Sequence, residues 1–142
     1  MIRLAVEKDA SRILSLLELI LQLHKSLYPK RFDNISSKYN LDDVIDLIFS
    51  RRIWVYEYDG MVVGYIIGWA EGDVYFVDDL MVDPEYRRRG IGGMLLDHIS
   101  DLAFRLGCNE IQLDVWLENE SAVEFYVDGG FEVLKYRMFK KI

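Results

Sequence analysis

The sequence predicts a mixed α/β (α+β) fold in which a mostly antiparallel central sheet is flanked by helices. Residues 53–82 hold three apolar runs separated by short turns, which is typical of consecutive antiparallel strands. Residues 90–139 alternate between helix-period and strand-period segments, which predicts crossover connections. At 142 residues, 51% of them apolar, the chain is predicted to form one domain over residues 1–142.

The N-terminal third predicts one strand and two helices. IRLAV, residues 2–6, alternates enough for a short strand. From Ser11 to His24 the apolar residues recur at helical spacing, with Asp9 placed to cap the helix. A proline and several turn formers then interrupt regular structure, and LDDVIDLIFS, residues 41–50, predicts a second, shorter helix.

The middle of the chain predicts a hairpin followed by a third strand. IWVYEY and MVVGYIIGWA flank Asp59 and Gly60, a pair typical of two-residue hairpin turns. The turn EGD leads into VYFVDDLMV, residues 74–82. Unless a bulge intervenes, alternation divides that strand into two faces: Phe76, Asp78, Leu80 and Val82 against Tyr75, Val77, Asp79 and Met81.

Four further elements are predicted after residue 83. A helix with a clear apolar stripe runs from near Gly90 to about Leu106. EIQLDVW, residues 110–116, predicts a strand, and FEVLKYRMF, residues 131–139, predicts the last one. Between them, SAVEFYVD predicts a short helix that Ser121 and Glu124 begin as a capping box and two glycines end.

The composition excludes several classes of protein. A formal net charge of −7 argues against a general nucleic-acid binder and favours cationic partners. The single cysteine cannot form an internal disulfide, and together with the two histidines it does not have the spacing of a usual metal site. The sequence shows neither a signal-peptide pattern nor an apolar stretch long enough to span a membrane, so we expect a soluble, cytoplasmic protein.

The stretch YRRRGIGGMLL, residues 86–96, predicts an anion site. Between Tyr86 and Gly93 no Ser, Thr, Asp or Asn is present to cap the helix, and the arginines oppose its dipole. A diphosphate lying on the exposed N–H groups would resolve both problems, although water could also solvate these donors. The candidate residues are Arg87, Arg88, Arg89, Gly90, Ile91, Gly92 and Gly93.

Two common phosphate-binding loops fit this stretch poorly. A P-loop is excluded because Met94 and Leu95 stand where a lysine and a Ser or Thr are needed. The dinucleotide fingerprint G-x-G-x-x-G requires a different glycine spacing, so a dinucleotide-binding module is only a weaker alternative.

The arginine–glycine stretch resembles a family signature. Arg87-x-x-Gly90-x-Gly92 is similar to the Arg/Gln-x-x-Gly-x-Gly/Ala motif of the GNAT N-acetyltransferase superfamily, and NESAVEFYVDGGF, residues 119–131, resembles the second conserved block of that family. The resemblance implies the GNAT fold, in which the fourth and fifth strands splay apart and the pantetheine arm of acetyl-coenzyme A lies in the gap. Acetyl-CoA is then the co-substrate, and no metal is implied.

The resemblance also implies roles for individual residues. The backbone of Leu80, Met81 and Val82 would bond to the pantetheine and the thioester oxygen, while residues 87–93 would hold the diphosphate. Tyr126 would be the general acid for the coenzyme A thiolate, although an ordinary core aromatic is the alternative. Asn119 would lie near the pantetheine, although a turn or helix cap explains it nearly as well.

Two adjacent acids inside an apolar strand indicate the base. A partly desolvated carboxylate has a raised pKa, which suits both amine binding and proton abstraction. Asp78 is the first candidate because related small-amine enzymes resemble this pattern with an acid at its position. Asp79, or a chain of waters, is left open as the base, and an ion pair with a nearby Lys or Arg is the alternative role for Asp78.

The resemblance places the acceptor groove in residues 24–43 and at the strand ends. Aromatic side chains and carboxylates together suit an amine cation: Tyr28, Phe32, Tyr39, Asp33, Asp42 and Asp43. The resulting hypothesis is an N-acetyltransferase on which a small-molecule or peptide primary amine attacks acetyl-CoA directly. A coenzyme A-binding sensor without catalysis is the alternative. Homodimers are common in the family, but the sequence by itself indicates no interface.

Overall fold

A five-stranded sheet organises this computed structural model, which describes residues 1–32 and 38–142. The strands are β1 (Ile2–Leu4), β2 (Ile53–Tyr58), β3 (Met61–Glu71), β4 (Val74–Val82) and β5 (Glu110–Leu113). The helices are α1 (Ala10–Leu27), α2 (Pro29–Phe32), α3 (Leu41–Phe49), α4 (Ile91–Arg105) and α5 (Glu120–Asp128). Short 3₁₀ turns cover Glu7–Asp9 and Pro84–Tyr86.

The sheet is mixed, as predicted. Its order is β1-β2-β3-β4-β5, with antiparallel pairing from β1 to β4 and parallel pairing between β4 and β5. Asp59 and Gly60 both have positive φ, 51° and 80°, so the β2–β3 connection is the tight hairpin turn that the sequence predicts. Helix α4 makes the crossover that a parallel pair requires.

Helices pack on both faces of the sheet. On one face α1 and α3 bury residues such as Ile13, Leu16 and Val44 against β2 and β3. On the other face α4 buries Leu95 and Ile99, both with no exposed surface. This two-sided burial explains why β3 reads as a nearly continuous apolar run rather than as an alternating one.

A bulge at Asp78 changes the faces of β4. Ile67 of β3 is opposite Asp79 and Gly68 is opposite Val77, so Asp78 is the extra residue. The bulge that the sequence left open is therefore present, and the alternation of side chains holds only up to residue 77. Tyr75, Val77, Leu80 and Val82 belong to the cluster under α4, whereas Met81 belongs to the cluster under α1. Asp79 is directly opposite Ile67, whose side chain belongs to the cluster under α1, so Asp79 also lies on the α1 face.

Strands β4 and β5 separate where the bulge begins. Their pairing runs only from Val74 opposite Glu110 to Val77 opposite Leu113. The second half of β4 therefore pairs with β3 alone and presents an open edge towards β5. This is the splayed arrangement that the family resemblance implies.

Several predicted boundaries differ from the structure. β1 ends at Leu4 and β5 ends at Leu113, three residues before the predicted end. The last predicted strand, residues 131–139, is not formed, because these residues find no strand partner within the described part of the chain. Alternating side chains indicate strand propensity, but a strand forms only where a neighbouring edge is available.

Two predicted caps are also absent. Asp9 precedes α1 but its side chain does not cap it; the carboxylate instead accepts the Val6 N–H at 2.8 Å and pairs with Arg3 at 2.7 Å. Helix α5 begins at Glu120 with Asn119 before it, so Ser121 is inside the helix and the predicted capping box does not form. The predicted end of α5 is confirmed, since Gly129 follows its last residue.

Candidate active site

A cleft of about 420 Å³ opens between the separated halves of β4 and β5. This volume is in the range of small-molecule sites. Helix α1 forms one wall, the bulged part of β4 the floor, and the segment after β5 together with α5 the opposite wall. The lining residues nearest the chemistry discussed below are Lys38, Asp78, Asp79, Leu80, Asn119 and Tyr126.

Helix α4 begins without a side-chain cap beyond the end of β4. Gly90 is the N-cap and has φ 77°, a left-handed conformation that glycine adopts without strain. The first turn contains no acidic residue. The predicted lack of a cap is therefore confirmed, and the first-turn N–H groups with the positive end of the dipole are available to an anion.

The three arginines before α4 have different surroundings. Arg87 donates from Nε to the Val82 carbonyl at 3.2 Å, which ties the loop to the end of β4. The Arg89 guanidinium lies over the rings of Tyr58 and Tyr86, at 5.5 and 5.0 Å from their centroids. Arg88 is exposed, with φ 64°. Two of the three side chains thus help to hold the loop itself.

The glycines of the loop also differ. A Cβ added at Gly93 would meet no atom within 4 Å, so the helix start is open on that side. A Cβ at Gly92 would lie 3.1 Å from the ring of Phe125, so this glycine lets α5 pack closely against α4. Gly92 is therefore needed for helix packing, a role that the sequence did not indicate.

The open edge of β4 presents backbone groups to the cleft. The Asp83 N–H donates to Val63 of β3 at 2.8 Å, and strand backbones alternate in direction. Met81 consequently directs its N–H and C=O towards β3, whereas Leu80 and Val82 direct theirs to the open edge. The Val82 carbonyl is the one that Arg87 already contacts.

The bulge residue Asp78 is held by two neighbours. Lys38 Nζ lies 2.9 Å from its Oδ1, and the Tyr39 hydroxyl donates to its Oδ2. Burial and the bond to this carboxylate raise the pKa of Tyr39. The ion pair that the sequence left open as an alternative for Asp78 is thus present, although Lys38 itself is half exposed.

Asp79 has no cationic partner in contact among the described residues. The Tyr65 hydroxyl donates to its Oδ2 at 2.9 Å. Burial raises the pKa of Asp79 to about 6, because the charged form is poorly solvated there. A carboxylate with this pKa is ionised at neutral pH and remains basic enough to accept a proton.

Tyr126 lines the wall of the cleft that α5 forms. Its ring packs between Phe125 and Phe131, with centroids 5.2 and 5.5 Å away. Burial, and then the negative charge of Asp79, raise the pKa of Tyr126 to about 12, so the hydroxyl keeps its proton. Asn119, the residue before α5, lies in the same wall, and its side-chain oxygen accepts a hydrogen bond from the Ser121 hydroxyl at 3.3 Å.

Aromatic side chains line the cleft where α1 and α2 face the segment after β5. Phe32 packs against His24 at 5.2 Å and against Trp116 at 5.4 Å between ring centroids, and all three line the cleft. Lys38 lies within residues 24–43, the predicted groove segment, but was not singled out, and Trp116 was not predicted. Trp116 is far along the chain from residues 24–43, and no motif connects the two. Tyr28 packs on Trp116 at 4.9 Å.

Of the three acids predicted for the acceptor groove, the two that the structure describes are not found in the lining of the cleft. Asp43 bonds to the Asn40 N–H at the start of α3, and Asp42 is exposed in the same turn. Asp33 lies outside the described residues. Within residues 1–32 and 38–142 no three metal-ligating side chains come together, and no helix there has the length and apolarity of a membrane span.

Curated relatives match part of the chain. An uncharacterized N-acetyltransferase of Methanocaldococcus jannaschii is 35% identical over 101 residues, 63% of this chain and 45% of the relative. A second from the same organism is 39% identical over 88 residues, 59% and 54% of the two chains. The thialysine N-epsilon-acetyltransferase of Sus scrofa is 34% identical over 62 residues, 44% and 36%. The chain spans about half the length of the first two.

Solved structures match nearly the whole chain in fold. A tetramutant of the Bacillus halodurans BH1408 protein superposes with a TM-score of 0.87 at 20% identity, covering 100% of this chain and 99% of that one. The PaiA N-acetyltransferase of Thermoplasma acidophilum, in complex with coenzyme A, gives 0.82 at 20% identity, covering 96% and 92%. An aminoglycoside N-acetyltransferase with coenzyme A gives 0.75 at 16%, covering 100% and 98%.

The family assignment rests on the match over residues 17–131 to the model of the acetyltransferase (GNAT) family. That range contains both sequence blocks, the separated strands and the whole of α4 and α5. The sequence resemblance is thereby confirmed, and the chain belongs to the GNAT acetyltransferase family.

Proposed function

We propose that this chain is an acetyl-CoA-dependent N-acetyltransferase that acetylates a primary amine by direct attack. One observation carries the proposal. The uncapped, glycine-opened start of α4 lies at one end of the open edge of β4, and two carboxylates and a tyrosine lie along the cleft that this edge borders. An anion site, a strand edge and acid–base groups in this order suit an acyl thioester with a long diphosphate-bearing tail.

The residues fit coenzyme A in two places. The first-turn amides of α4, open at Gly93 and flanked by Arg88, would hold the diphosphate. The backbone groups of Leu80 and the N–H of Val82, which face the open edge of β4, would bond to the pantetheine amides, with Asn119 across the cleft. Met81, whose backbone faces β3, would keep this edge in the sheet, while Arg87 and Arg89 would keep the loop in place.

Acetyl-CoA supplies a thioester carbonyl that the amine nitrogen attacks, and the carbon–sulfur bond then breaks. A primary alkylamine with a pKa near 10.4 is neutral in about one molecule per thousand at pH 7, so a base is needed. We propose Asp79 as that base because burial raises its pKa to about 6. Tyr126, which keeps its proton, would give it to the departing thiolate.

Asp78 would bind the acceptor. Its carboxylate already forms an ion pair with the alkylammonium group of Lys38 at 2.9 Å. A protonated primary amine substrate carries the same charge on a similar alkyl chain. Because Lys38 is half exposed, an incoming amine can replace it at little cost. Phe32 and Trp116 would contact the rest of a cationic acceptor. Relatives named for thialysine and for aminoglycosides support an amine of this general class.

The direct test combines calorimetry with thiol release. We expect acetyl-CoA to bind and coenzyme A to be released with at least one member of a panel of polyamines, aminoglycosides and peptide amines. Cofactor binding without turnover on the whole panel would favour a coenzyme A sensor. Absence of any binding heat, or a preference for nicotinamide dinucleotides, would contradict the proposal.

Gly93→Leu tests the diphosphate site. The side chain enters open space, so the fold is preserved and the helix gains propensity, by up to about 1 kcal/mol. The leucine would cover the first-turn amides, and we expect the Kd for coenzyme A to rise at least tenfold, an effect of about 1.4 kcal/mol. Ser100→Leu, two turns along α4 on an exposed position, is the matched control. Equal Kd values for both variants would place the cofactor elsewhere.

Tyr126→Phe tests the general acid. Loss of the hydroxyl should lower kcat by about a hundredfold or more, the usual contribution of such a group, while the Kd for coenzyme A changes little. Tyr75→Phe, which removes a hydroxyl from a buried tyrosine of β4 outside the cleft, should leave both values unchanged. A parallel loss of binding and turnover in the Tyr126 variant would indicate a packing role instead.

The pH profile separates the two aspartates. Since a base works only when deprotonated, kcat/KM should fall by about tenfold per pH unit as the pH drops below the pKa of Asp79, about 6. Asp79→Asn should lower the rate and abolish this acid limb. Asp78→Asn should instead raise KM for the amine and keep the limb. If only the Asp78 variant loses the limb, the two roles are reversed.

A further inference from the structure

Tyr65 of β3 and Asp79 of β4 form a diagonal pair across neighbouring strands. Tyr65 is opposite Met81, and Ile67 is opposite Asp79, so the tyrosine stands two residues from the strand partner of the carboxylate. Diagonal neighbours on one face of an antiparallel pair are within reach of a long side chain. The Tyr65 hydroxyl accordingly donates to Asp79 Oδ2 at 2.9 Å.

The bulge at Asp78 makes this contact possible. In an unbroken register Ile67 would be opposite Asp78, and Asp79 would be opposite Ile66, whose side chain belongs to the cluster under α4. The carboxylate would then lie on the other face of the sheet from Tyr65. The feature that opens the cleft therefore also brings Asp79 to its tyrosine.

Tyr65 is a permanent donor to this carboxylate. Its side chain has no exposed surface, and burial raises the pKa of its hydroxyl well above the ordinary value, so the proton stays on the tyrosine throughout the neutral range. A hydroxyl that donates to a carboxylate stabilises the ionised form of the acid. Burial raises the pKa of Asp79 to about 6, and the bond from Tyr65 acts in the opposite direction and limits this rise.

The contact also fixes the orientation of the carboxylate. A buried hydroxyl on a strand has little freedom to move, and it holds Asp79 by Oδ2. The other oxygen, Oδ1, is then the one available to a proton from the cleft that Asp79 lines. A base must meet its proton within hydrogen-bond reach, and a carboxylate that is already oriented does so without being ordered at each turnover.

Other titratable side chains surround Asp79 or line the same cleft: His24 of α1, Lys38, Tyr39, Asp78, Asp114 and Tyr126. After burial and the Tyr65 bond, the charge of Lys38 lowers the pKa of Asp79 and that of Asp78 raises it. These two charges are themselves paired with each other. Burial lowers the pKa of His24, so this side chain is neutral at pH 7. Within residues 1–32 and 38–142, the bond from Tyr65 is the one that a side chain donates to Asp79.

We propose that Tyr65 is the positioning residue of the base: its buried hydroxyl fixes the orientation of the Asp79 carboxylate and favours the ionised form. This role rests on the proposed function, in which Asp79 accepts the proton of the amine. Tyr65 acts through Asp79 alone, because its own side chain has no exposed surface with which to touch a substrate. Without the hydroxyl, the carboxylate would take up its proton at a higher pH, and the base would be less available in the neutral range.

Tyr65→Phe removes the hydroxyl and keeps the ring. The acid limb of kcat/KM should move to higher pH by about one unit, the effect of losing one hydrogen bond to a charged group. At pH 6 the variant should therefore be roughly fivefold less active, beyond any change that it shows at pH 9.

Tyr39→Phe is the matched control, because it removes the hydroxyl that bonds to the neighbouring carboxylate, that of Asp78. Its acid limb should stay at the pH of the unmodified protein. A limb that also stays in place in Tyr65→Phe, with a rate lowered equally at every pH, would indicate a packing role and overturn the proposal.

Carbon-13 NMR of the protein without cofactor or amine tests the contact independently of turnover. In the unmodified chain the Asp79 Cγ and Tyr65 Cζ resonances should titrate together, with a midpoint at about pH 6. Asp79→Asn should abolish the Tyr65 inflection, a result that needs no change at Tyr65 and so holds even if Tyr65→Phe does not fold. Where Tyr65→Phe folds, its Asp79 midpoint should be higher.

A Tyr65 resonance that does not titrate with Asp79, or an Asp79 midpoint that is unchanged in Tyr65→Phe, would overturn the proposal. Because these spectra require no acetyl transfer, a failure of every amine to react would count against the proposed function and would leave the positioning of Asp79 to be decided by the titration.

Discussion

The separation of β4 from β5 is the constraint on which the rest of the molecule depends. Parallel pairing stops at Val77, and the next residue, Asp78, is a bulge that bends β4 and reverses the faces of the strand. One extra residue therefore opens the cleft, frees the backbone edge of Leu80 and Val82, and turns Asp79 away from α4. Without the bulge, strict alternation would place Asp79 on the α4 face together with Tyr75 and Val77.

The start of α4 has two features that are unfavourable for an isolated helix and that an anion explains together. Its first-turn amides have no side-chain cap, and arginines stand where the helix dipole is already positive. In the structure Arg87 and Arg89 hold the loop, whereas Arg88 faces solvent. The three glycines serve different structural purposes. Gly90 permits a left-handed φ, Gly92 permits contact with Phe125, and Gly93 leaves the approach open.

Neighbouring carboxylates acquire different chemistry from their surroundings. Asp78 is neutralised by Lys38 and bonded by Tyr39, so it is prepared to hold a cation. Asp79 is buried against Tyr65, and its pKa rises to about 6 because water no longer stabilises the charge. The same negative charge contributes to the raised pKa of Tyr126. Burial in the same cleft thus raises the pKa of both the proposed proton acceptor, Asp79, and the proposed proton donor, Tyr126.

The sequence by itself determined the mixed sheet, the hairpin turn at Asp59 and Gly60, the uncapped start of α4 and the family, because these depend on local periodicity, turn chemistry and short motifs. Tertiary structure decided the bulge at Asp78, the different surroundings of Asp78 and Asp79, the meeting of Lys38 and Trp116 at the cleft, and the fate of residues 131–139. Register, burial and the availability of a strand edge are relations between distant segments. A pattern along one segment records what it can form, and only its neighbours decide what it pairs with.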